Sequence, residues 1–222
     1  MISIIMPVKN ESLTLFKSLN HLQKLRDLNI CEIILVDGGS TDNTIKIASN
    51  LVDHILITKS GRAHQQNIGA SIAKGNILLF LHADTVITKE QIVSLKSIIE
   101  KNLWGFFKII FDNRKIRYKI LAYLINFRSK VYNYGTGDQV IYINRKIFNK
   151  IRGFPPLEIM EDIKICSILK QISQPSIRDS YVITSARRWE KYGFFKTILK
   201  MRILRFFYHL GVESKKLARY YE

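Results

Sequence analysis

The run LLFLHADT (78–85) places four large apolar residues ahead of His82-Ala83-Asp84, an imidazole and a carboxylate at the end of an otherwise apolar segment. One carboxylate alone holds Mg²⁺ or Mn²⁺ weakly. Such ions take one or two protein carboxylates and complete their shell with substrate phosphates and water. Asp84 therefore suits a divalent ion that arrives together with a nucleotide. His82 fits three roles, a second ligand, a phosphate donor or a buried structural histidine, the last being the default for a lone histidine. Further along, MEDI (160–163) sets Glu161-Asp162 at an expected helix start, where acids serve as caps or where one can act as a general base toward an acceptor hydroxyl.

Other segments carry complementary chemistry. In VDGGSTDNT (36–44), two glycines allow a sharp turn and Ser40 or Thr41 can cap the next helix, leaving Asp37 able to accept hydrogen bonds from a base or ribose. The segment is not the G-x-G-x-x-G fingerprint of dinucleotide sites, which follows a first strand. SGRAHQQN (60–67) supplies Arg62 and Asn67, and a cation at a helix start opposes the helix dipole unless an anion or base lies nearby. GTGDQVIY (135–142) adds Asp138. SARRWEKYG (185–193) joins Arg187, Arg188 and Trp189, and guanidinium pairs suit bidentate phosphate contact as well as surface ion pairing.

Positioning these residues requires a regular frame. The apolar runs 2–8, 32–37, 54–58 and 76–84 read as buried parallel strands. Helical segments at about 11–27, 41–52 and 62–73 separate them, so right-handed crossovers and a mostly parallel sheet are expected. A helix near 88–101, a strand at 105–111, a helix near 115–132 and a strand at 138–144 follow. The chain then offers a helix at 161–172, a short strand near 181–184 and a last helix at 194–210. Ligands of open parallel sheets sit at the carboxyl ends of the strands. There the sequence places Pro7 to Glu11, Asp37 to Asp42, and His82 to Asp84.

The 222 residues, 47% of them apolar, suffice for one large α/β domain. Cys31 and Cys166 are too few for a disulfide framework or a zinc cluster, which favours a reducing compartment. No secretory leader is legible in MISIIMPV, and no apolar run approaches the ~20 residues that span a bilayer. A soluble or membrane-surface protein is expected. The net charge of +17 is uneven: 12 Lys/Arg against 9 Asp/Glu in residues 1–110, but 23 against 9 in residues 111–222. That asymmetry points to an anionic partner or to biased composition.

Taken in order, these motifs resemble the family 2 glycosyltransferases, which carry the nucleotide-diphospho-sugar transferase fold called glycosyltransferase A. MPVKNE (6–11) looks like the family's opening strand and loop, VDGGSTDNT like its uridine-binding motif, LHADT (81–85) like its DxD-like metal motif, and MEDI like its ED motif. The nearest resemblance is to a bacterial subgroup associated with radical-SAM, selenium or arsenic genes, whose members show similar GRAxQxNxGA, FLHADT, GDQ, GGF and RRW runs. The resemblance implies a Rossmann-like α/β domain and transfer from a UDP- or GDP-sugar with Mg²⁺ or Mn²⁺. It further implies Asp84 at the metal and Asp162 as base, with inversion. Pro7, Glu11, Asp37, Arg62, Asn67, His82, Asp138, Glu161, Arg187, Arg188 and Trp189 would contact the donor and its surroundings.

On that reading residues 1–110 bind the nucleotide sugar, 111–193 complete the acceptor and catalytic half, and 194–222 form a basic helical tail. Departures from the family pattern are specific. Histidine stands at the first acid of the metal motif, and Arg152-Gly153-Phe154 replaces a Gly-Gly-Phe run. Ser185 stands where processive synthases carry Gln, so non-processive transfer is expected, and the arginine that often follows ED is absent from IKICSILKQ. Ile116, Ile120, Leu124, Phe127 and Val131 form one helical stripe, and Phe195, Leu199, Ile203, Phe206 and Leu210 another. Core packing is the expected use of such stripes. Their lysines and arginines also suit an anionic membrane and a lipid acceptor, with the protein cytoplasmic or peripheral on the inner face of the plasma membrane. Two rival classes remain, a sugar-phosphate nucleotidyltransferase and a non-catalytic nucleotide- or nucleic-acid-binding protein. The first needs a glycine-rich loop after the first strand, which PVKNES lacks; the second gives no reason for Asp84 and Asp162, so no nucleic acid is expected.

Overall fold

The computed structural model describes residues 1–99 and 102–221. Its elements in chain order begin with β1 (Ile2–Val8), α1 (Leu15–Asn20), α2 (Gln23–Asp27), β2 (Cys31–Asp37), α3 (Thr44–Ala48), β3 (His54–Ile57) and α4 (Arg62–Ile72). They continue through β4 (Ile77–Phe80), β5 (Thr85–Val86), α5 (Lys89–Ile99), β6 (Trp104–Phe111), α6 (Ile116–Tyr132), a 3₁₀ turn (Gly137–Gln139) and β7 (Ile141–Asn144). The chain closes with α7 (Arg145–Lys150), α8 (Glu161–Lys170), β8 (Ser176–Thr184), α9 (Arg187–Tyr192), α10 (Phe194–His209) and α11 (Ser214–Ala218). The expected extension of the fifth helix to residues 100–101 lies outside the described residues, as does the last residue of the basic tail, 222.

The eight strands form one sheet in the order β3-β2-β1-β4-β7-β6-β8-β5. β3, β2, β1 and β4 run parallel, as expected for apolar strands joined by helical crossovers. β7 enters antiparallel to β4 with Ile141 opposite Phe80, and β6 is antiparallel to β7. β6 therefore points the same way as β4, and β8 runs parallel to β6, ending with Thr184 opposite Phe111. This topology decides where the chemistry goes. The carboxyl ends of β1, β2, β4 and β8 and the entry to β7 all meet at one rim.

Apolar side chains cover both faces of the sheet. Ile4, Met6, Leu35 and Leu79 pack with Leu15, Leu19 and Leu95 on one side. Ile5, Val36, Leu78 and Phe80 pack with Ala63, Phe148 and Leu169 on the other. A third cluster joins Ile159, Met160 and Ile163 to Leu204 and Leu217, which lays the basic tail over the turn that starts α8.

Several elements differ from the sequence expectation for local reasons. The helix expected over 11–27 starts only at Leu15 and breaks at His21-Leu22. The backbone N–H groups of Asn10, Glu11 and Ser12 are instead bound by Ser40, Thr44 and Asp42 of the loop after β2. Those contacts use up Asp42 and Thr44 and delay α3 to residue 44. The strand expected to reach Asp84 stops at Phe80. His82-Ala83-Asp84 forms a turn, and Thr85–Val86 pairs with the end of β8. The strand at 138–144 begins at Ile141, because Thr136 and Gln139 close a capping box around the 3₁₀ turn. The short strand near 181–184 extends back to Ser176 along β6, and α7, α9 and α11 were not anticipated.

Candidate functional site

At the rim, the loops after β1 and β2 are stitched into one unit. Asp37 sits beneath them, 1% exposed, with Oδ2 accepting from the N–H groups of Gly39 (2.9 Å) and Ser40 (2.8 Å) and Oδ1 accepting from the Ser40 hydroxyl. Asn10 Oδ1 accepts from the N–H of Thr41 at 2.8 Å. These contacts aim Glu11 toward the turn after β4. There Arg187, at the first turn of α9, donates to Glu11 Oε1 at 2.7 Å and lies 3.3 Å from Asp84 Oδ2. One guanidinium is thus shared by two carboxylates from different strand ends. Burial pushes the Asp84 carboxyl above its ordinary value, and nearby Asp138 adds to that, while His82 and Arg187 oppose it.

The 3₁₀ turn supplies the opposite wall. His82 Nδ1 lies 3.4 Å from Asp138 Oδ1. Gly137 packs directly on that imidazole, since a Cβ added there would meet His82 Cε1 at 2.3 Å. The N–H of Gly137 donates to Asp162 Oδ2 at 3.0 Å, and Ile163 N–H donates to Asp162 Oδ1 at 2.7 Å. Met160, in the left-handed region with φ 65°, turns the chain so that α8 begins with Glu161 facing inward and Asp162 facing the cleft. Glu161 is buried, which raises its carboxyl; Arg62 Nη1 approaches it at 3.7 Å and opposes that rise. The arginine at the start of α4 thereby finds its anion in Glu161.

A residue missed by sequence reasoning completes this side. The hydroxyl of Tyr221 accepts from Arg62 Nη2 at 2.7 Å and from Arg188 Nη1, and both guanidinium carbons approach its ring, at 5.5 and 4.1 Å. No motif marks Tyr221. Only its placement by α11 brings it between the two arginines.

These groups line one cleft of about 1870 Å³, bounded on its far side by α6 and α10. Pro7, Glu11, Arg62, His82, Asp84, Asp138, Glu161, Asp162, Arg187, Arg188 and Trp189 all border it. Asn67 and Asp37 do not. The Asn67 amide forms a two-bond clasp with the Phe154 backbone, donating to its carbonyl and accepting from its N–H, each at 2.8 Å. That clasp ties α4 to the segment ahead of α8. The Asp37 carboxylate is held by Gly39 and Ser40 of its own loop.

Two further arginines border the cleft between α6 and α10. Arg128 stacks 4.8 Å from the Tyr134 ring and donates to Ser129 and Gln139, while burial and the neighbouring Arg205 hold its guanidinium down at about 10. The Nε atoms of both Arg128 and Arg205 are buried without a hydrogen-bond partner. The stripes expected to pack into the core are exposed instead: Phe195 is 80% exposed and Ile116 69%. Among the described residues, no helix is long and apolar enough to cross a membrane. Nor does any group of three or more His, Cys, Asp or Glu side chains assemble that could hold a metal unaided. The donor set instead fits an ion that brings phosphate oxygens with it, as the lone Asp84 carboxylate requires.

The family model for Glycosyl transferase family 2 matches residues 3–154. The chain belongs to that family, and the α/β glycosyltransferase A fold agrees with solved structures. A glycosyltransferase of Staphylococcus aureus, TarS, crystallised with UDP-GlcNAc, superposes with a TM-score of 0.65 at 18% identity, covering 83% of this chain and 58% of that one. The mannosyltransferase PcManGT of Pyrobaculum calidifontis, in complex with GDP-Man and Mn²⁺, gives 0.66 at 17% identity, covering 91% and 60%. In sequence, the glycosyltransferase GlyG of Streptococcus pneumoniae is 32% identical over 102 residues, 43% of this chain and 34% of that protein. The chain thus spans about a third of the length of the curated relatives it matches.

Proposed function

We propose that the chain moves a sugar from a nucleoside-diphosphate donor to an acceptor hydroxyl with inversion and without processive extension. The observation that carries this reading is the pairing of two functions across one cleft. Asp84, Glu11 and Arg187 meet on one side, and Asp162 is held by the Gly137 N–H on the other.

Asp162 is the proposed base. Its two oxygens each accept one backbone N–H, which fixes the carboxylate plane and leaves further lone pairs for an incoming hydroxyl. As that hydroxyl oxygen bonds to the anomeric carbon, its proton passes to Asp162. The bond from the anomeric carbon to the diphosphate oxygen breaks, and the leaving diphosphate keeps the electron pair. Attack from the face opposite the leaving group inverts the centre. Arg187, with Arg62 and Arg188, would hold the diphosphate, and guanidinium forks suit its oxygens. The Tyr221 hydroxyl, accepting from Arg62 and Arg188, supports an anion seat at that point. Asp84 would hold Mg²⁺ or Mn²⁺, which when bound supplies positive charge against the departing diphosphate. His82 and Asp138 border the same position and would orient it, Pro7 and Glu11 would shape the donor floor, and Trp189 would wall the cleft. Ser185, where processive synthases carry Gln, supports single transfer. The finer likeness to the radical-SAM-associated bacterial subgroup rests on the motif runs alone.

The reading has residues 1–110 bind donor and residues 111–193 complete the site, with a UDP- or GDP-sugar as donor and a small-molecule or lipid acceptor. The protein would work on the cytoplasmic side, peripheral to the membrane if it touches one. Assaying a panel of nucleotide sugars with and without Mn²⁺ tests the class. Asp162→Asn should abolish transfer while donor affinity stays within about twofold; full turnover by that variant removes Asp162 from the role.

A further inference from the structure

The helices that wall the outer side of the cleft carry features the donor chemistry leaves unused. α6 and α10 each contain four Lys/Arg and no Asp or Glu. Each also exposes apolar side chains at the same spacing. On α6 these are Ile116, Ile120, Leu124, Phe127 and Val131. On α10 they are Phe195, Leu199, Ile203 and Phe206, with Leu210 just past its end. A surface helix ordinarily turns such a stripe to the core. Here the inward faces are made by other residues, Tyr118, Leu121 and Ala122 on α6 and Leu204 on α10, so the exposed stripes are second apolar faces. The two helices meet near their starts, where Phe194 packs edge-on against Tyr118 at 5.4 Å and lies under the Arg117 guanidinium at 5.3 Å. Farther along they part, and the cleft opens between them.

Arg128 of α6 and Arg205 of α10 border that opening. Their Nε atoms are buried and unpartnered, and neither forms an ion pair among the described residues. Two such cations, with buried Nε groups that nothing among the described residues accepts from, describe a seat for an anion. Burial and then Arg205 depress Arg128, and the more distant Asp162 and Asp138 offset this only in part. A phosphate offers several oxygens to two guanidinium forks and so suits the pair. Apolar chains attached to such a phosphate would find Leu124 and Ile203 outside it.

We propose that the exposed faces of α6 and α10 dock on an anionic lipid surface, and that the acceptor is a membrane lipid whose phosphate seats between Arg128 and Arg205. This deepens the proposed transferase by naming its acceptor class, and it rests on that reading for the transfer step only. Charge complementarity selects the occupant, because two acid-free helices exposing Lys119, Lys130, Lys196 and Arg202 match an anionic bilayer, whereas a second copy of the same faces would set those cations against each other.

The full chain is tested by flotation with phosphatidylcholine vesicles, with and without phosphatidylglycerol, and by titration with decyl phosphate, inorganic phosphate and octyl glucoside. Binding is expected to the anionic vesicles at about 50 mM salt, with most of it lost at 500 mM as screening shortens the field. Decyl phosphate should bind at least tenfold more tightly than either inorganic phosphate or octyl glucoside. Arg205→Gln should weaken decyl phosphate at least fivefold, and Phe206→Glu, an exposed change, should weaken vesicle binding without altering the melting temperature. Equal binding to neutral vesicles, no binding at low salt, no effect of Arg205→Gln, or a homodimer that fails to float would each overturn the proposal. Binding of UDP with Mn²⁺ is measured in parallel. Its absence alongside normal flotation would sink the donor reading and leave the lipid surface standing.

Discussion

Replacing Asn67 by Ala separates a structural amide from a ligand contact. The side chain bridges α4 to the Phe154 backbone through two hydrogen bonds of 2.8 Å, and Phe154 itself is 2% exposed. Each neutral bond contributes about 0.5–1.5 kcal/mol net, and leaving a buried N–H and carbonyl unpaired raises the cost. The expected loss is about 2–4 kcal/mol. For a chain of this size each kcal/mol moves the melting temperature by about 2–4 °C, so a fall of about 5–12 °C is expected. Asn67→Asp should fall in the same range. It keeps an acceptor for the Phe154 N–H but turns an anionic oxygen toward the Phe154 carbonyl. Thermal and urea denaturation measure the loss, and titration with UDP or GDP plus Mn²⁺ measures binding below the melting point. Affinity should stay within about twofold. A variant that melts like the parent yet binds nucleotide tenfold more weakly would refute this argument and return Asn67 to the donor site.

Gly137→Ala should cost at least tenfold in turnover, since the new Cβ would meet His82 Cε1 at 2.3 Å and displace the turn that holds Asp162; turnover within twofold of the parent would show that the turn yields freely. Asp84→Ala should make nucleotide affinity independent of Mn²⁺ in calorimetry, whereas a retained Mn²⁺ dependence would move the ion elsewhere. Burial, reinforced by Asp53, pushes the Cys31 thiol up to about 12 from an ordinary 9, so its thiolate fraction at pH 8 is about a thousandfold below that of an unfolded thiol. Iodoacetamide should therefore label Cys31 and buried Cys166 only after urea is added. Because the folded value is raised, the neutral thiol's contribution to stability is present below pH 9 and disappears as pH climbs toward 12.

Strands and motif order were legible because buried parallel strands read as unbroken apolar runs, and because acids at strand ends have few structural uses. β1 and β2 emerged within a residue of their expected bounds, and His82, Asp84, Glu161, Asp162, Arg187, Arg188 and Trp189 all border one cleft. What escaped was set by contacts distant in sequence. The Asn67 amide meets the Phe154 backbone 87 residues away, a pairing that no local pattern shows. Tyr221 was invisible for the converse reason: a lone tyrosine in a basic tail carries no pattern until α11 delivers it to Arg62 and Arg188. The helical stripes misled in a third way. Periodicity reports that a face is apolar, not which of two apolar faces meets the core.

Tyr221 also changes what donor arrival means for this chain. Its hydroxyl accepts from both Arg62 and Arg188 and so holds the two guanidiniums side by side, like a placeholder keeping a chair for a better-matched guest. On the proposed reading, a pyrophosphate seated by both guanidiniums would compete with the Tyr221 hydroxyl, whose segment packs through Leu217. Donor binding would then be coupled to the segment after α11, and a dye attached near Arg219 would report the exchange.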